Sequence, residues 1–303
     1  MNIAITGMSG FIGKNLKSFF NEINNVNLIS ISRFESNASG RYTFEEFFNG
    51  DIDNEIDMFI HLASPNYDYC KDNSLQEGIV SLTQRIIESL PIYNCNKFIY
   101  FSSCKVYGES SLESTIFNET SELNPITDYA KAKVAAELII KNNANKNGLS
   151  YLIYRLPFVY GYEMKSNIGL LLRLIDKSLP MISFKNGAGH KKSFLSIENI
   201  KRILAHNLKD PLSINNNIYN LSDFDPVTLD YFLTNYKKLS KSKSLIIRLP
   251  KLIFSIIVKL PIISNMVIKI YGNFHVENIK IKSHTELSLL TTNDCISNLV
   301  ARM

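Results

Sequence analysis

The sequence has few of the residues that hold small secreted domains or metal centres together. Its 303 residues include only four cysteines, which form no Cys-x-x-Cys pair and are scattered as Cys70, Cys95, Cys104 and Cys295. Free thiols in a reducing compartment are therefore a better interpretation than a disulfide framework. The five histidines lack the spacing of metal ligands, so we predict no metal site.

Long hydrophobic runs and blocks of like charge are also missing. No stretch offers the roughly 20 uninterrupted apolar residues that a membrane span needs, and the N-terminal residues do not form a signal peptide. The formal net charge of +5 is spread along the chain, which argues against a nucleic-acid tail. We therefore predict a globular, cytoplasmic protein with no nucleic-acid partner and no transmembrane segment.

Short apolar segments alternate with helical segments over the first half of the chain. Helices are predicted at 11–20, at 74–90 and around Tyr129, and strands at 3–6, 26–32, 57–63, 97–102 and 150–156. Continuously apolar strands that alternate with helices predict a parallel sheet covered on both faces. Right-handed crossovers then give a doubly wound, Rossmann-type α/β core.

Beyond residue 161 this alternation changes. We predict helices at 167–178 and 198–207 and strands at 193–197 and 218–222, the last of which returns to the main sheet. The predicted Rossmann-type domain therefore covers residues 1–161 and is rejoined by about 193–222. Residues 162–192 and 223–303 are predicted to form a smaller, mostly helical lobe.

Gly7, Gly10 and Gly13 stand between the first strand and the first helix, with the spacing of a dinucleotide-binding loop. Gly7 allows a tight turn, Gly10 allows backbone to approach a pyrophosphate, and Gly13 allows the helix to pack closely on the strand. An acidic residue after the second strand would bind the adenosine ribose of NAD. Arg33 stands there instead, and a guanidinium binds a 2′-phosphate, so NADP(H) is favoured while NAD stays open.

Tyr129 and Lys133 lie four residues apart and share one face of a helix. Together with the glycine loop and the segment 102–108 (SSCKVYG), they resemble the extended short-chain dehydrogenase/reductase family, in the branch that works on nucleotide sugars. The resemblance implies a redox enzyme in which Ser103, Tyr129 and Lys133 are catalytic. It also implies a dinucleotide held by Gly7, Gly10, Phe11, Ile12, Gly13, Arg33, Leu62, Ala63, Ser64, Tyr129 and Lys133.

The resemblance assigns a role to each member of the catalytic trio. Tyr129 donates a proton to the alkoxide that hydride transfer leaves, or takes it back in the reverse direction. Lys133 and the positive nicotinamide are expected to lower the pKa of Tyr129 by favouring the phenolate. Lys133 is also expected to hold the nicotinamide ribose. Ser103 orients the substrate carbonyl. His61, which precedes the cofactor segment, is expected to pack behind the sheet.

The resemblance also limits the reaction. Cys104 and Lys105 stand where 4,6-dehydratases carry an Asp-Glu pair, so a dehydratase is disfavoured. The segments 155–172 and 190–194 resemble a narrower group of bacterial surface-polysaccharide enzymes, which includes 4-reductases of UDP-4-keto-6-deoxy-N-acetylhexosamines and N-acetylhexosamine 4-epimerases. The resemblance to the family and to this group places Ser103, Cys104, Phe158, Asn167 and Lys192 at the substrate, although a packing thiol is the favoured interpretation of Cys104.

Three functional hypotheses follow. The first is NADP(H)-dependent reduction of the C4 keto group of a nucleotide-linked 4-keto-6-deoxy sugar in O-antigen or capsule synthesis. The second is an NAD-dependent 4-epimerase of a UDP-hexose, a UDP-N-acetylhexosamine or its lipid-linked form. The third is a non-catalytic cofactor sensor, which the presence of all three catalytic residues disfavours.

The segment 245–271 leaves two interpretations open. It mixes isoleucine, leucine and phenylalanine with four basic residues. We favour helices that face the core of the substrate lobe over a segment that contacts an anionic membrane surface. The family resemblance further allows a homodimer formed through the two long helices that flank the central strands.

Overall fold

The computed structural model describes residues 1–34, 39–64, 74–285 and 287–302. The strands are β1 (Asn2–Thr6), β2 (Asn27–Ser32), β3 (Arg41–Thr43), β4 (Met58–His61), β5 (Lys97–Ser103), β6 (Ile116–Phe117), β7 (Ser150–Leu156), β8 (Phe158–Tyr160), β9 (Met181–Phe184), β10 (Phe194–Ser196), β11 (Asn217–Asn220), β12 (Ile246–Leu249) and β13 (His275–Val276). The helices are α1 (Phe11–Glu22), α2 (Phe44–Asn49), α3 (Ser74–Ser89), α4 (Asp128–Asn147), α5 (Asn167–Asp176), α6 (Ile197–Lys209), α7 (Leu229–Leu239), α8 (Lys251–Ile257), α9 (Ser264–Tyr271), α10 (Ile279–Thr285) and α11 (Thr292–Ala301).

Seven strands form one parallel sheet in the order β11-β7-β5-β4-β1-β2-β3. The first strand, β1, lies inside the sheet. Strands β2 and β3 follow on one side of it and β4, β5, β7 and β11 on the other, which is the strand order of a doubly wound fold. Thr6 at the end of β1 stands level with Ile31 of β2 on one side and with His61 of β4 on the other. The predicted Rossmann-type fold is confirmed.

Both faces of this sheet are buried, because alternate residues of each strand point to opposite sides. One face packs against α2, α3 and α4, and its core consists of Ala4, Ile29, Ile31, Phe59, Phe98, Tyr100, Ile153, Phe47, Ile79, Ile86, Ala132, Ala136 and Ile140. Residues of the other face, among them Ile3, Ile5 and Ile60, are equally inaccessible. The continuous apolar runs of the strands reflect this burial on both sides.

The sequence analysis missed β3 and α2. A capping box begins α2, since the Thr43 hydroxyl accepts from the Glu46 amide at 3.1 Å and the Glu46 carboxylate accepts from the Thr43 amide at 2.6 Å. Phe47 then buries its ring against Phe59 and Tyr93, with centroids 5.3 and 5.0 Å apart. The capping pattern was present in the sequence, but a three-residue strand leaves no periodicity to detect.

The chain divides into two compact units. The first contains residues 1–108, 122–156 and 204–219, and the second contains 109–121, 157–203 and 220–303. These boundaries differ from the predicted ones in three places. Residues 109–121 and 157–161 belong to the second unit, and the return to the first unit is limited to 204–219.

The second unit contains three small two-stranded sheets, β8 with β10, β9 with β12, and β6 with β13. Its core includes a buried carboxylate, Asp223, which accepts hydrogen bonds from the Ser196 amide, the Asn199 side chain and the Tyr160 hydroxyl at 2.9, 2.8 and 2.7 Å. No helix in the described ranges is long and apolar enough to cross a membrane.

Candidate active site

The glycine loop lies at the carboxyl end of β1, and two of its glycines admit no side chain. Gly7 has φ +83°, and a Cβ there would lie 2.7 Å from the Ala63 amide nitrogen. A Cβ on Gly13 would lie 2.3 Å from the Gly7 carbonyl oxygen. The Gly10 amide donates to that same carbonyl at 3.0 Å. The loop therefore folds tightly between α1 and the end of β4.

The first turn of α1 is suited to an anion. Gly10 is the N-cap residue and supplies no side-chain acceptor, and the first turn contains no acidic residue. Amides at a helix N-terminus without such a cap are available to a phosphate. Phe11 and Ile12 start this turn. The glycine loop, which has no room for a Cβ at Gly7 or Gly13, and the uncapped N-terminus of α1 both fit a dinucleotide pyrophosphate.

The segment that follows β4 borders the same loop. The Ala63 amide donates to the Thr6 hydroxyl at 3.2 Å, which joins the ends of β1 and β4. The Ser64 hydroxyl is buried and has no hydrogen-bond partner among the described residues. An unsatisfied buried hydroxyl is costly without a ligand to bind it. Leu62, Ala63 and Ser64 thus lie beside the glycine loop, where the sequence analysis placed them.

Arg33 follows the last residue of β2, the strand next to β1, and its side chain is exposed. Its guanidinium carbon lies 5.8 Å from the ring centroid of Phe34, which is also exposed. The carboxyl ends of adjacent parallel strands lie at one edge of the sheet. Arg33 is therefore at the same edge as the glycine loop, which is the position required for a cofactor-binding residue.

His61 ends β4 and is fully buried, as expected. Its Nδ1 lies 2.7 Å from the Thr6 hydroxyl, and its Nε2 lies 3.4 Å from the Thr83 hydroxyl. Burial, with a smaller contribution from the charge of Lys133, lowers the pKa of His61 to about 3. The imidazole is therefore neutral and structural.

The predicted trio comes together in the first unit. Ser103 ends β5, and Tyr129 and Lys133 lie on successive turns of α4. Thr127 caps this helix, since its hydroxyl accepts from the Ala130 amide at 3.3 Å. The Ser103 hydroxyl is hydrogen-bonded to Tyr129. The two hydroxyls that would face a substrate carbonyl are thus adjacent.

Lys133 is buried beneath Tyr129. Its ammonium donates to the Phe101 carbonyl oxygen at 2.9 Å and lies 4.6 Å from the ring centroid of Tyr100. The Tyr129 ring centroid is 5.7 Å away. Burial lowers the pKa of Lys133 to about 7, although the carboxylate of Glu137 acts in the opposite direction.

Burial raises the pKa of Tyr129 to about 12 in the protein alone, and the hydrogen bond of Ser103 acts in the opposite direction. The expected lowering by Lys133 together with a positive nicotinamide concerns the protein with cofactor bound and stays a prediction. A lysine with a pKa near 7 carries only part of a charge at neutral pH, so its influence on the phenol is small. Tyr129 therefore holds its proton throughout the physiological pH range in the protein alone.

A buried ion pair below the trio escaped the sequence analysis. The Glu137 carboxylate accepts from Arg155 at 2.6 and 3.0 Å and from the Ser102 hydroxyl at 2.6 Å. Arg155 also donates to the Tyr107 hydroxyl at 2.8 Å. Since Ser102 and Arg155 are neighbours on β5 and β7, this network ties α4 to both strands. The spacing of Tyr129, Lys133 and Glu137 at i, i+4 and i+8 was the available signal.

Cys104 does not belong among the substrate contacts. Its side chain is fully buried, and the thiol donates to the Arg155 carbonyl oxygen at 3.2 Å. A buried thiol with a backbone acceptor packs and does not contact a substrate. Cys95 and Cys295 are also free and buried, whereas Cys70 lies outside the described residues.

The remaining predicted substrate residues lie in the second unit. Phe158 starts β8 and packs edge-on against Phe194, with centroids 5.8 Å apart. Asn167 is the exposed first residue of α5. Lys192 is buried, and its ammonium donates to the Ser110 hydroxyl and to the Lys269 carbonyl oxygen at 2.6 and 2.9 Å. Lys192 thus has a structural role within this unit, which the sequence analysis did not predict.

Comparison with known proteins agrees with this geometry. Residues 3–222 match the model of the NAD dependent epimerase/dehydratase family, which is most of the chain. The chain belongs to that family. It is similar to a UDP-glucose 4-epimerase of Vibrio cholerae, with 27% identity over 234 residues that span 71% of this chain and 68% of that protein.

Two solved structures show the same fold as this family member. The UDP-glucuronic acid 4-epimerase of Bacillus cereus in complex with NAD has a TM-score of 0.76 at 18% identity, and the match covers 99% of this chain and 96% of that one. Human epimerase family protein SDR39U1 with NADPH has a TM-score of 0.78 at 16% identity, and the match covers all of both chains. The predicted family and fold are therefore confirmed. The two solved structures contain NAD and NADPH, respectively.

Proposed function

We propose that this family member reduces the C4 keto group of a nucleotide-linked 4-keto-6-deoxy sugar, of the UDP-N-acetylhexosamine type, with NADP(H). The observation that carries this proposal is the adjacent Ser103 and Tyr129 hydroxyls above a buried Lys133, at the sheet edge that holds the glycine loop. Synthesis of a surface polysaccharide is the proposed setting, from the resemblance of segments 155–172 and 190–194.

Tyr129 is suited to donate a proton in the reductive direction. Reduction leaves an alkoxide at C4, and a phenol whose pKa is near 12 is present in the acid form that can protonate it. Ser103 donates to the same oxygen and orients it. When bound, the nicotinamide ring supplies the hydride.

Lys133 is proposed to hold the nicotinamide ribose. Its ammonium has three N–H donors, and one of them is used by the Phe101 carbonyl oxygen. Its burial fixes the side chain, so little conformational entropy is lost when the cofactor binds. Gly7, Gly10 and Gly13 would place the pyrophosphate at α1, with Phe11 and Ile12 supplying amides. Leu62, Ala63 and Ser64 would line the opposite side.

The choice of NADP(H) rests on Arg33. An exposed guanidinium at the end of β2 can pair with a 2′-phosphate, whereas it offers a ribose hydroxyl no acceptor. Arg33→Ala is expected to weaken NADPH binding at least about tenfold and to leave NADH binding within about twofold. Arg85→Ala is the matched control, since Arg85 is also exposed and also lies over a phenylalanine ring, that of Phe48. Equal loss for both dinucleotides would contradict the assignment.

A 4-epimerase is the second candidate, and the names of the relatives favour it. In that reaction the same residues act twice. Tyr129 first takes the proton of the C4 hydroxyl and later returns one, after the keto sugar has presented its other face. That first step needs the phenolate, which the hydrogen bond of Ser103 favours and which the positive nicotinamide of bound NAD would favour further, so the pKa of Tyr129 in the protein alone does not separate the two reactions.

The first experiment identifies the nucleotide that co-purifies with the protein and then compares NADPH with NADH on the stripped enzyme. Tightly held NAD, with interconversion of UDP-N-acetylglucosamine and its C4 epimer, would replace the reductase by the epimerase. Consumption of NADPH by a UDP-4-keto-6-deoxy-N-acetylhexosamine would support the reductase.

The catalytic trio is tested independently of the sugar. Tyr129→Phe is expected to lower turnover about 10²- to 10⁴-fold and to leave cofactor affinity unchanged. Lys133→Met should weaken both, and Lys131→Met is its control, because Lys131 is exposed on the same helix and pairs with Asp128. Near-normal turnover of Tyr129→Phe would remove the proposed proton donor. A biological role that survives this substitution would revive the cofactor-sensor hypothesis.

A further inference from the structure

Residues 245–271 form an exposed apolar surface, which differs from the core-facing helices expected from the sequence. α8 and α9 each contain one buried residue. Phe254 of α8 and Tyr271 of α9 both pack edge-on against Phe184, with ring centroids 5.1 and 4.9 Å away. These two aromatic contacts attach the helices to the second unit, whereas part of each helix surface stays uncovered, at Leu252 and Ile256 of α8 and at Met266 of α9.

Large apolar side chains occupy the uncovered sides. Leu252 is 71% exposed and Ile262 is 92% exposed. Leu252 and Ile256 lie one turn apart on the same side of α8, and Leu260 follows in the next turn, where backbone hydrogen bonds continue the helical path. The exposed apolar residues of this surface are Leu245, Ile247, Leu252, Ile256, Leu260, Ile262 and Met266.

The charge of the same part of the chain has one sign. Residues 231–276 contain no aspartate or glutamate, and their cationic side chains are Lys237, Lys238, Lys241, Lys243, Arg248, Lys251, Lys259 and Lys269. Arg248 is paired with Asp230 at 3.0 Å. Lys251, Lys259 and Lys269 are exposed on or between α8 and α9, beside the apolar side chains.

We propose that the 245–271 surface binds the anionic face of a phospholipid bilayer. Exposed apolar side chains of this number are unusual in water, and they gain free energy by entering the region between headgroups and acyl chains. Lysines at the border of the surface are attracted to anionic headgroups. Charge also decides against a second copy of the chain, because two such surfaces face to face would oppose lysine to lysine.

The test uses the full chain and vesicles that are pelleted by centrifugation. One set consists of phosphatidylcholine alone, and the other contains roughly one third phosphatidylglycerol, a share that gives a clearly negative surface potential. We expect the protein to pellet with the anionic vesicles at low salt. The bound fraction should fall when salt is raised, since exposed charges are screened.

Two variants separate the apolar and the charged contributions. The double variant Leu252→Glu, Ile262→Glu should bind anionic vesicles at least about tenfold more weakly, and Lys251→Glu, Lys259→Glu should lose the preference for anionic over neutral vesicles. Leu212→Glu is the matched control, because Leu212 is 86% exposed in the first unit and the substitution is the same. Light scattering of each variant in solution reports its oligomeric state.

Three outcomes would overturn the proposal. The protein could fail to pellet with either vesicle, or Leu212→Glu could weaken binding as much as the double variant does. Alternatively, the double variant could convert a dimer into a monomer while vesicles bind no protein, which would make the surface an interface between copies. None of these measurements depends on the sugar substrate, so the result is independent of the proposed reaction.

Discussion

The substitution Glu137→Gln tests how the buried ion pair stabilises the fold and sets the titration of Lys133. The carboxylate is almost fully buried and serves three groups, the guanidinium of Arg155, the hydroxyl of Ser102 and, one turn away on the helix, the charge of Lys133. Glutamine keeps the shape of the side chain and one acceptor oxygen. It removes the charge and turns an amide group towards a donor.

The expected loss of stability follows from the burial of both partners. Arg155 and Glu137 side chains are 2% and 1% exposed, so removing one leaves the other charge without compensation. Breaking a buried ion pair in this way costs about 3–5 kcal/mol. We expect about 3 kcal/mol for glutamine, which can still accept one hydrogen bond from Arg155.

The same substitution shifts the titration of Lys133. Burial lowers the pKa of this ammonium and Glu137 raises it, so loss of the carboxylate must bring the pKa below its present value of about 7. The unfolded lysine has a pKa of 10.5, and between the two values the unfolded chain binds more protons than the folded one. Stability therefore rises with pH across this window, and the variant should extend the window to lower pH.

Urea unfolding and lysine side-chain NMR measure the two effects. The nitrogen signal of Lys133 is identified by its loss in Lys133→Met, and its titration is then followed in Glu137→Gln. A double-mutant cycle with Arg155→Met and Glu137→Met should give a coupling energy of about 2–3 kcal/mol. Additive energies, or a Lys133 titration that moves to higher pH, would refute the reasoning.

Three further predictions concern other parts of the chain. Gly13→Ala should cost about 3 kcal/mol or more and abolish cofactor binding, since its Cβ would meet backbone at 2.3 Å, whereas Gly148→Ala, with open space, should cost only about 1 kcal/mol from its φ of +68°. Burial raises the pKa of Asp223 from 3.8 to about 6, so the folded state binds its proton more tightly. The unfolding free energy should therefore fall by about 2 kcal/mol between pH 4 and pH 6, out of about 3 kcal/mol over the whole titration. Asp223→Asn should remove that fall in urea titrations at each pH. Lys192→Met should lower stability by about 1–3 kcal/mol through the lost bonds to Ser110 and Lys269, and a large rise in substrate KM at unchanged stability would instead make Lys192 a substrate contact.

The first half of the fold was predictable because local and tertiary signals agree there. The predicted segment 150–156 is the observed β7, and the other predicted strands of the main sheet differ from the observed ones by one or two residues. Strands buried on both faces are apolar throughout, so burial is visible in the sequence itself. The glycine loop and the Tyr129–Lys133 spacing are short-range patterns, which need no knowledge of distant contacts.

The missed features depend on contacts between distant residues. In the sequence alone, a glutamate in a helix suggests an exposed charge, and only the fold brings Arg155 of β7 to Glu137. The burial of Cys104 also depends on β7, whose Arg155 carbonyl oxygen accepts from the thiol. The prediction that the helices of segment 245–271 face the core was wrong for a different reason. Its helices are apolar on more than one side, so periodicity cannot tell which side is covered.

The arrangement beneath Tyr129 explains how a buried lysine is accommodated next to a partly buried phenol. A fully charged ammonium at the buried Lys133 position would have a high desolvation free energy, whereas a neutral amine would not hold a ribose through its charge. Burial pulls the pKa of Lys133 down and Glu137 pulls it up, so that it settles near 7. The charge of the Glu137 carboxylate is balanced by the Arg155 guanidinium, which lies 2.6 Å away. Arg155 therefore acts on Lys133 indirectly, by positioning the Glu137 carboxylate. Its replacement should alter the Lys133 titration although the two side chains are not in contact.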